Sequence, residues 1–502
     1  MKTVLLLISG LAFCLMARSQ VINFDKKGRQ LVKFDQQGNA VDAHDGEIAV
    51  FDGIYYLYGT SYDCGYEWGN REAPFCGFKV YTSTDMKNWE DKGFLFDAKT
   101  AIWQTRCDGK TYGCYRPHVV FNKKTKLYVL WINVYDNVVG YRVFTSPKPA
   151  GPFTEVAEPT LAVNADKPAA GLNNGDHDTF VDDDGKAYLA YTDWRAKGAI
   201  IIEELSDDYL TGTGKHVKSV TVEKTEAPCL FKKDKMYYVV YSDPNCGYCS
   251  GTGSSYKTAA SPLGPWSEAT SISNNSCGGQ PSFVSVLKLG TETVFLYGSD
   301  LWNNAAKNEA LANYYWAPLE FDGSGAIRPL LCSDQYRVPK SGGRQVRSPL
   351  PVAEGEDGFS VKDSINAATS VAQSFTNTKP GRMSGLELTL FKNKYPDAGL
   401  RIELFAADKD GRPEGKSLYS KTVDAAGLGW SPRVIKLNPG IRVRKGSYLL
   451  VMSTKATGGN YGTVINDAST AIGRQFFTGA GEAKSLTALP VGAIKFKITV
   501  TP

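Results

Sequence analysis

The stretch TEAPCLFKKDKMYYVVYSDPN, residues 225–245, sets a carboxylate, Glu226, eleven residues ahead of a strand-like run that begins at Tyr237. Alone, it reads equally well as a loop charge or as an acid aimed into a pocket. The run, however, recurs. YYLYGTS from Tyr55, LYVLWIN from Leu127, AYLAYTD from Ala187, YYVVYSD from Tyr237 and VFLYGSD from Val294 align without gaps, and their starts lie 72, 60, 50 and 57 residues apart. Each is an apolar run closed by small polar residues. A second element follows three of them, YTSTDMKNW (81–89), FTSPKPAGPF (144–153) and ASPLGPW (260–266), which reads as the next strand and a turn closed by an aromatic. Several strands per repeat of this length are the signature of propeller blades. Unrelated strands of a sandwich would not share the spacing. The sequence therefore predicts an all-β chain with five blades between residues 35 and 335.

Composition agrees. The chain has 502 residues, which implies more than one domain. Its 50 Gly, 27 Tyr and 23 Phe suit strands joined by tight turns. The formal net charge is +5, with Lys and Arg scattered, which argues against a nucleic-acid partner. The N-terminus, MKTVLLLISGLAFCLMARSQ, has a positive start, an apolar stretch and small residues at Ala17 and Ser19, so residues 1–19 read as a removed secretory signal. That stretch is too short to span a membrane well, and no later run looks transmembrane. A secreted or periplasmic, monomeric protein is expected. Nine of the ten cysteines follow the leader. Export permits disulfides. Cys64 and Cys76 flank one loop, Cys107 and Cys114 another, and Cys246 and Cys249 form a CxxC without the second half of a zinc site. An odd count leaves at least one cysteine free or paired between chains.

Counting back from each repeat exposes a phase. Asp45 lies ten residues before Tyr55. Arg116, Asp176 and Glu226 lie eleven before Leu127, Ala187 and Tyr237, and Gln280 lies fourteen before Val294. Equivalent positions in successive blades ring the axis, so these five are expected on or beside the innermost strands, facing one funnel. Three are carboxylates. Two carboxyl groups across a sugar-sized cavity are the working parts of glycoside hydrolysis, one donating a proton and one activating water or attacking carbon. A third can hold the donor and raise its pKa by like-charge repulsion.

At these residues the chain resembles family 43 of the glycoside hydrolases, five-bladed propeller enzymes. The motifs are HDGEIAVFDGIYYLYGT (44–60), DHDTFVDDDGKAYLAYT (176–192) and EAPCLFKKDKMYYVVYS (226–242). The resemblance implies inversion, with Asp45 as general base, Asp176 as the acid that tunes the donor, and Glu226 as general acid. It implies no required cofactor, and allows a structural calcium ion on the axis. Asp178 competes for the tuning role and is otherwise a substrate contact, while Asp182, Asp183 and Asp184 read as turn residues. The family's usual Asp-Pro is Asp45-Gly46 here. RPHVVFN (116–122), CGGQPSFV (277–284) and YGSDLW (297–302) are similar to the branch of exo-β-1,3-galactosidases and the neighbouring arabinofuranosidases and galactofuranosidases. In the galactosidase branch the base position often lacks a carboxylate and a Gln is implicated in handling the water. Here both Asp45 and Gln280 are present.

Three of the four histidines, His44, His118 and His177, fall inside these motifs. His44 and His118, with Arg116, Gln280, Trp103 and Trp302, are the expected substrate contacts; Trp68 is a further aromatic near the motifs. Trp residues in a propeller are also frequent core residues. After Cys332 the register stops. The domains read as a catalytic propeller over 20–337, a linker over 338–351 (VPKSGGRQVRSPLP), and a β-sandwich over 352–502, built from runs such as GLELTLF and YLLVMST. It is expected to be jelly-roll-like. Such a domain either binds carbohydrate, through Trp430, Tyr461 or Asn466, or packs on the catalytic domain. The expected activity is release of a terminal sugar from plant-type polysaccharide. The order of preference is α-L-arabinofuranose or β-D-galactofuranose, then β-1,3-linked galactose, then β-xylose. The competing class is a catalytically inactive glycan-binding propeller.

Overall fold

The computed structural model describes residues 19–67, 74–95, 107, 113–134, 140–162, 174–243, 251–289, 292–302, 308–338, 358–466, 476–479, 486–489 and 492–502. Among them, helix is confined to single 3₁₀ turns and the rest of the regular structure is strand. No helix among them is long and apolar enough to cross a membrane.

Five antiparallel sheets follow one another along the chain, the first four with four strands and the fifth with three. Their first strands are His44–Phe51, Cys114–Asn122, Asn174–Val181, Glu226–Lys233 and Gln280–Leu289. The repeated runs of the sequence are the second strands, Ile54–Thr60, Leu127–Val134, Ala187–Asp193, Met236–Ser242 and Glu292–Leu301. All five phase residues therefore fall on first strands. These first strands touch in a ring, each against the next and the fifth back against the first.

Why the second strands read as continuous rather than alternating apolar runs follows from their burial. Each sheet has a neighbour on both faces. Tyr58 and Leu130 share a core between the first and second sheets, and Trp131 and Leu189 one between the second and third. Ile200 and Val239 do so between the third and fourth, Phe231 and Tyr297 between the fourth and fifth, and Phe283 and Leu57 close the ring. A strand buried on both faces has no solvent side to write as polar. The strands Ser19–Ile22 and Gln335–Val338 pair, and Asn23 bonds both the N–H and the C=O of Trp316 on the last strand of the fifth sheet. The two ends of the ring-forming segment are thereby held together.

Residues 358–502 hold two further antiparallel sheets, of seven and six strands. Leu386, Leu388 and Leu390 from one sheet meet Leu400, Ile402, Leu404, Leu450 and Met452 from the other in one core. These residues alternate along their strands, as one buried face requires. Of the linker 338–351, only Val338 lies within the described residues.

Candidate active site

A shared irregularity turns the five phase positions toward one place. Each first strand loses register with its partner at that point: between His44 and Glu47, Tyr115 and His118, Asn174 and His177, Glu226 and Cys229, and Pro281 and Phe283. A bulge re-aims side chains and leaves a residue unpaired. At two bulges that residue is a proline, Pro117 or Pro228, which has no N–H to leave unsatisfied. Asp45, Arg116 and Ala227 adopt φ of 52°, 56° and 54°. A side chain held there costs about 1–3 kcal/mol, a strain that concentrates at functional sites. Gly46 stands where a Cβ would lie 2.2 Å from the Tyr58 carbonyl oxygen.

The five residues form two hydrogen-bonded groups, Arg116 with Asp45 and Asp176, and Gln280 with Glu226, which meet on the first strand of the fifth sheet. The Arg116 guanidinium donates to Asp176 at 3.0 Å and to the carbonyls of Pro281 and Ser282 at 3.3 and 3.2 Å. Its backbone N–H donates to Asp45 at 3.2 Å. Gln280 Nε2 donates to Glu226 Oε1 at 2.6 Å. The Asp45 carboxylate also accepts from the Thr60 hydroxyl at 2.6 Å and from the Tyr62 hydroxyl at 2.7 Å. Burial pushes Asp45 up to about 6, against the pull of Arg116 and the two hydroxyls. Burial opposes the charge on Arg116 too, but Asp176 and Asp45 outweigh it and keep the guanidinium protonated. Burial, with Asp45 second, raises Tyr62 far above the usual phenol range, so it remains a donor.

Beneath this layer lies a second, fully buried one. His44 is stacked between Tyr314 and Tyr62 at 5.1 and 5.5 Å, with Asp42 and Asp300 carboxylates 3.4 and 3.6 Å from its ring nitrogens. Asp300 in turn accepts from the Asp45 backbone N–H at 3.0 Å and from Ser282 Oγ. Burial alone would lower His44, but the two carboxylates win and raise it to about 9. A raised folded-state pKa means stability that is whole below the unfolded value near 6.5 and lost as pH climbs through about 9. The melting temperature is expected to fall across that window, and His44→Gln to flatten the slope there. An unchanged slope in the variant would contradict a charged His44.

The remaining expectations resolve individually. His44 and His118 were expected to touch sugar; both are wholly buried and face protein. His118 Nδ1 lies 3.1 Å from Asp178, which also accepts the Leu230 N–H at 2.6 Å. Asp178, another expected substrate contact, thus uses both carboxylate oxygens on protein. His177 is pressed well below its ordinary value, chiefly by burial and then by His118 and Arg116, and is neutral. Trp302 packs with Tyr62, Tyr66 and Tyr115 and keeps 8% of its surface exposed. Tyr461 is core, its hydroxyl on the Ala398 carbonyl, and Asn466 is partly buried. Asp182 begins a turn, as expected, and pairs with Lys232. Trp103, Trp68, Cys246 and Cys249 lie outside the described residues. Cys64 pairs with Cys76 and Cys107 with Cys114; Cys277–Cys332 joins residues whose spacing carried no hint, and Cys229 is free and buried.

Thr60, Tyr62, Asp42, Asp300 and Glu47 are site residues that the sequence reading passed over. Thr60 and Asp300 do carry a signal, since both sit in the small polar ends of repeated runs. Glu47 is partly buried beside His118, accepts the Val119 N–H at 2.6 Å, and is raised to about 7, mainly by desolvation. It lines an axial cavity of about 840 Å³ together with Asp178, Phe180 and Lys232. None of Asp45, Asp176 and Glu226 lines that cavity, which lies farther along the ring of strands. No group of three or more His, Cys, Asp or Glu side chains among the described residues is arranged to hold a metal ion, so no residue is assigned to calcium.

Residues 39–283 match the sequence model of glycosyl hydrolases family 43. A β-D-galactofuranosidase of Aspergillus niger is 27% identical over 231 residues, 44% of this chain and 62% of that protein. An arabinoxylan arabinofuranohydrolase of Paenibacillus polymyxa is 27% identical over 188 residues, 34% of this chain and 28% of that protein. The chain thus spans less than two thirds of these relatives. Among solved structures, a family 43 β-1,3-galactosidase superposes with a TM-score of 0.52 at 25% identity, covering 64% of each chain. An exo-β-1,3-galactanase from Clostridium thermocellum superposes with a TM-score of 0.54 at 18% identity, covering 96% of this chain and all of that one, which is a likeness of fold. The segment that carries Asp45, Arg116, Asp176, Glu226 and Gln280 is thus similar to family 43 of the glycosyl hydrolases.

Proposed function

We propose that the five sheets are the blades of a propeller, that residues 358–502 form a β-sandwich, and that the enzyme is exported and inverts the anomeric centre of a terminal sugar. Glu226 is the general acid, Asp45 the general base, and Asp176 the acid that holds and tunes the donor. The observation that carries this reading is the set of hydrogen bonds by which Arg116 and Gln280, meeting on the first strand of the fifth sheet, tie together the strands of all three carboxylates. Four solvated charges and an amide would have no reason to be arranged this way. Three disulfides among the described residues support an oxidising compartment.

The preferred substrate is a terminal furanoside, β-D-galactofuranose or α-L-arabinofuranose. Support comes from the carboxylate at the base position, oriented by Thr60 and Tyr62, and from the names of the curated relatives. The second reading is a β-1,3-linked galactose, favoured by the superposed β-1,3-galactosidase and by Gln280 beside Glu226. A panel of nitrophenyl glycosides with β-1,3-galactan, read by NMR, separates them. Release of galactofuranose or arabinofuranose as the inverted anomer is expected. Galactopyranose alone would establish the second reading, retention would overturn the base assignment, and no release would establish a binding propeller.

A base must be ionised to work. With Asp45 at about 6, kcat/KM is expected to fall as pH drops below 6, approaching tenfold per unit. Asp45→Asn should abolish most of the activity along with that limb. An acid limb still at 6 in a working Asp45→Asn enzyme would assign it to another group.

A further inference from the structure

The loop 61–67 touches both domains, and its residues alternate between them. Tyr62 donates to Asp45, and the Tyr66 hydroxyl meets that of Tyr115, the neighbour of Arg116. Between them, Asp63 and Gly65 face the second domain. Asp63 accepts the Ser431 N–H at 2.6 Å and pairs with the Arg433 guanidinium. Gly65, at φ 92°, lies so close to Trp430 that a Cβ would sit 2.7 Å from the ring. The disulfide Cys64–Cys76 ties the same loop back to its own sheet.

The contacts on the other side come from one short segment, 430–434. Trp430 packs onto the cluster of Tyr62, Tyr66, Tyr115 and Trp302, and its carbonyl accepts from Asn308 at 3.0 Å. The Pro432 carbonyl accepts the Ala40 N–H at 2.7 Å, and the Val434 N–H donates to Asn39 at 2.9 Å. Five consecutive residues are thus spent on the loop and on the strand entry that leads to Asp45. Trp430, a candidate sugar contact if that domain bound carbohydrate, is instead packed against protein.

We propose that the second domain positions the base: Arg433 and Trp430 clamp the loop 61–67 so that the Tyr62 hydroxyl stays on the Asp45 carboxylate. Arg433 and Trp430 are positioning residues; they act through Tyr62 and do not touch the substrate. The inference rests on Asp45 as the general base. It changes the meaning of the second domain, which becomes a scaffold for the catalytic site.

The charges that bear on Asp45 are Arg116 and Asp300, and those around Asp63 are Arg433, Asp42 and Lys392. This suggests a test with opposite electrostatic signs. Arg433→Ala removes a positive charge and Asp63→Asn a negative one, so a direct field effect would move the acid limb of kcat/KM in opposite directions. Clamping predicts the same direction for both: the limb moves up, kcat falls roughly tenfold, and KM changes little, because a small misplacement at the reacting centre acts on the rate. Tyr62→Phe sets the reference, and Tyr62→Phe with Arg433→Ala should be no worse than Tyr62→Phe alone. Arg401→Ala, on the same domain but paired with Glu403, should leave both parameters unchanged. Opposite shifts, an unmoved limb, or multiplicative losses in the double variant would overturn the clamp. Asp63→Asn keeps the side chain's shape and remains informative if Arg433→Ala fails to fold. An active Asp45→Asn enzyme would instead refute the base reading on which the clamp depends.

Discussion

Glu226→Gln is expected to lower kcat/KM on natural glycosides by about 10²–10⁴-fold, the usual worth of a positioned general acid. Glu226 opens its strand at the bulge, partly exposed, with Oε1 held by the Gln280 amide at 2.6 Å. The substitution conserves shape and that neighbour's geometry, but an amide N–H is far too weakly acidic to protonate a leaving oxygen. A sugar alkoxide leaves poorly without one. A nitrophenolate leaves readily, so the loss on nitrophenyl glycosides should be far smaller. KM should stay near the parent value on both substrates. An equal loss on the two would assign Glu226 a role in binding or folding, and a variant near wild type on natural glycosides would remove it from the mechanism.

Replacing Arg116 should have the largest effect on stability. The guanidinium is 3% exposed and serves three acceptors at once: Asp176 and the carbonyls of Pro281 and Ser282. Arg116→Ala strands the two carbonyls and removes the cation that pairs with Asp176 and draws on Asp45. Breaking a buried pair from one side costs about 3–5 kcal/mol, because the surviving charge stays desolvated. Arg116→Lys should recover only part of this, since an ammonium cannot present a planar fork to acceptors on two strands. Denaturant unfolding of each variant, followed by fluorescence of the buried tryptophans, measures the loss. Activity should fall as well, because Asp176 and the bulge of the second sheet both lose their anchor. A loss below about 1 kcal/mol for Arg116→Ala would mean that water or a neighbour replaces the guanidinium, and the network would no longer carry the functional reading.

Much of the site was legible because a repeat converts spacing into geometry. The five second strands announced themselves as apolar runs, being covered on both faces, and counting back placed Asp45, Arg116, Asp176, Glu226 and Gln280 on first strands. The pairing of these residues was not legible. Arg116 was an expected sugar contact and is a buried tie between the second, third and fifth sheets. His44 and His118 were read as sugar contacts because histidines inside motifs suggest ligands; each instead supports a carboxylate from beneath. Asp178 looked equivalent to Asp176, two residues away on the same strand face, yet the bulge between Asn174 and His177 separates their surroundings.

The period, the strand on which each acid sits and the family that the motifs resemble were all readable from the residues. These are local properties: apolar runs, turn residues and the phase between them. Which acid meets which donor, and that the second domain reaches the site, emerged from the three-dimensional packing. Asp63 and Arg433 are 370 residues apart, and Asp45 and Asp300 are 255 apart. Such partners meet only when the ring of strands closes and the second domain packs against it. No local pattern encodes that contact, because each partner's own segment folds the same way without it.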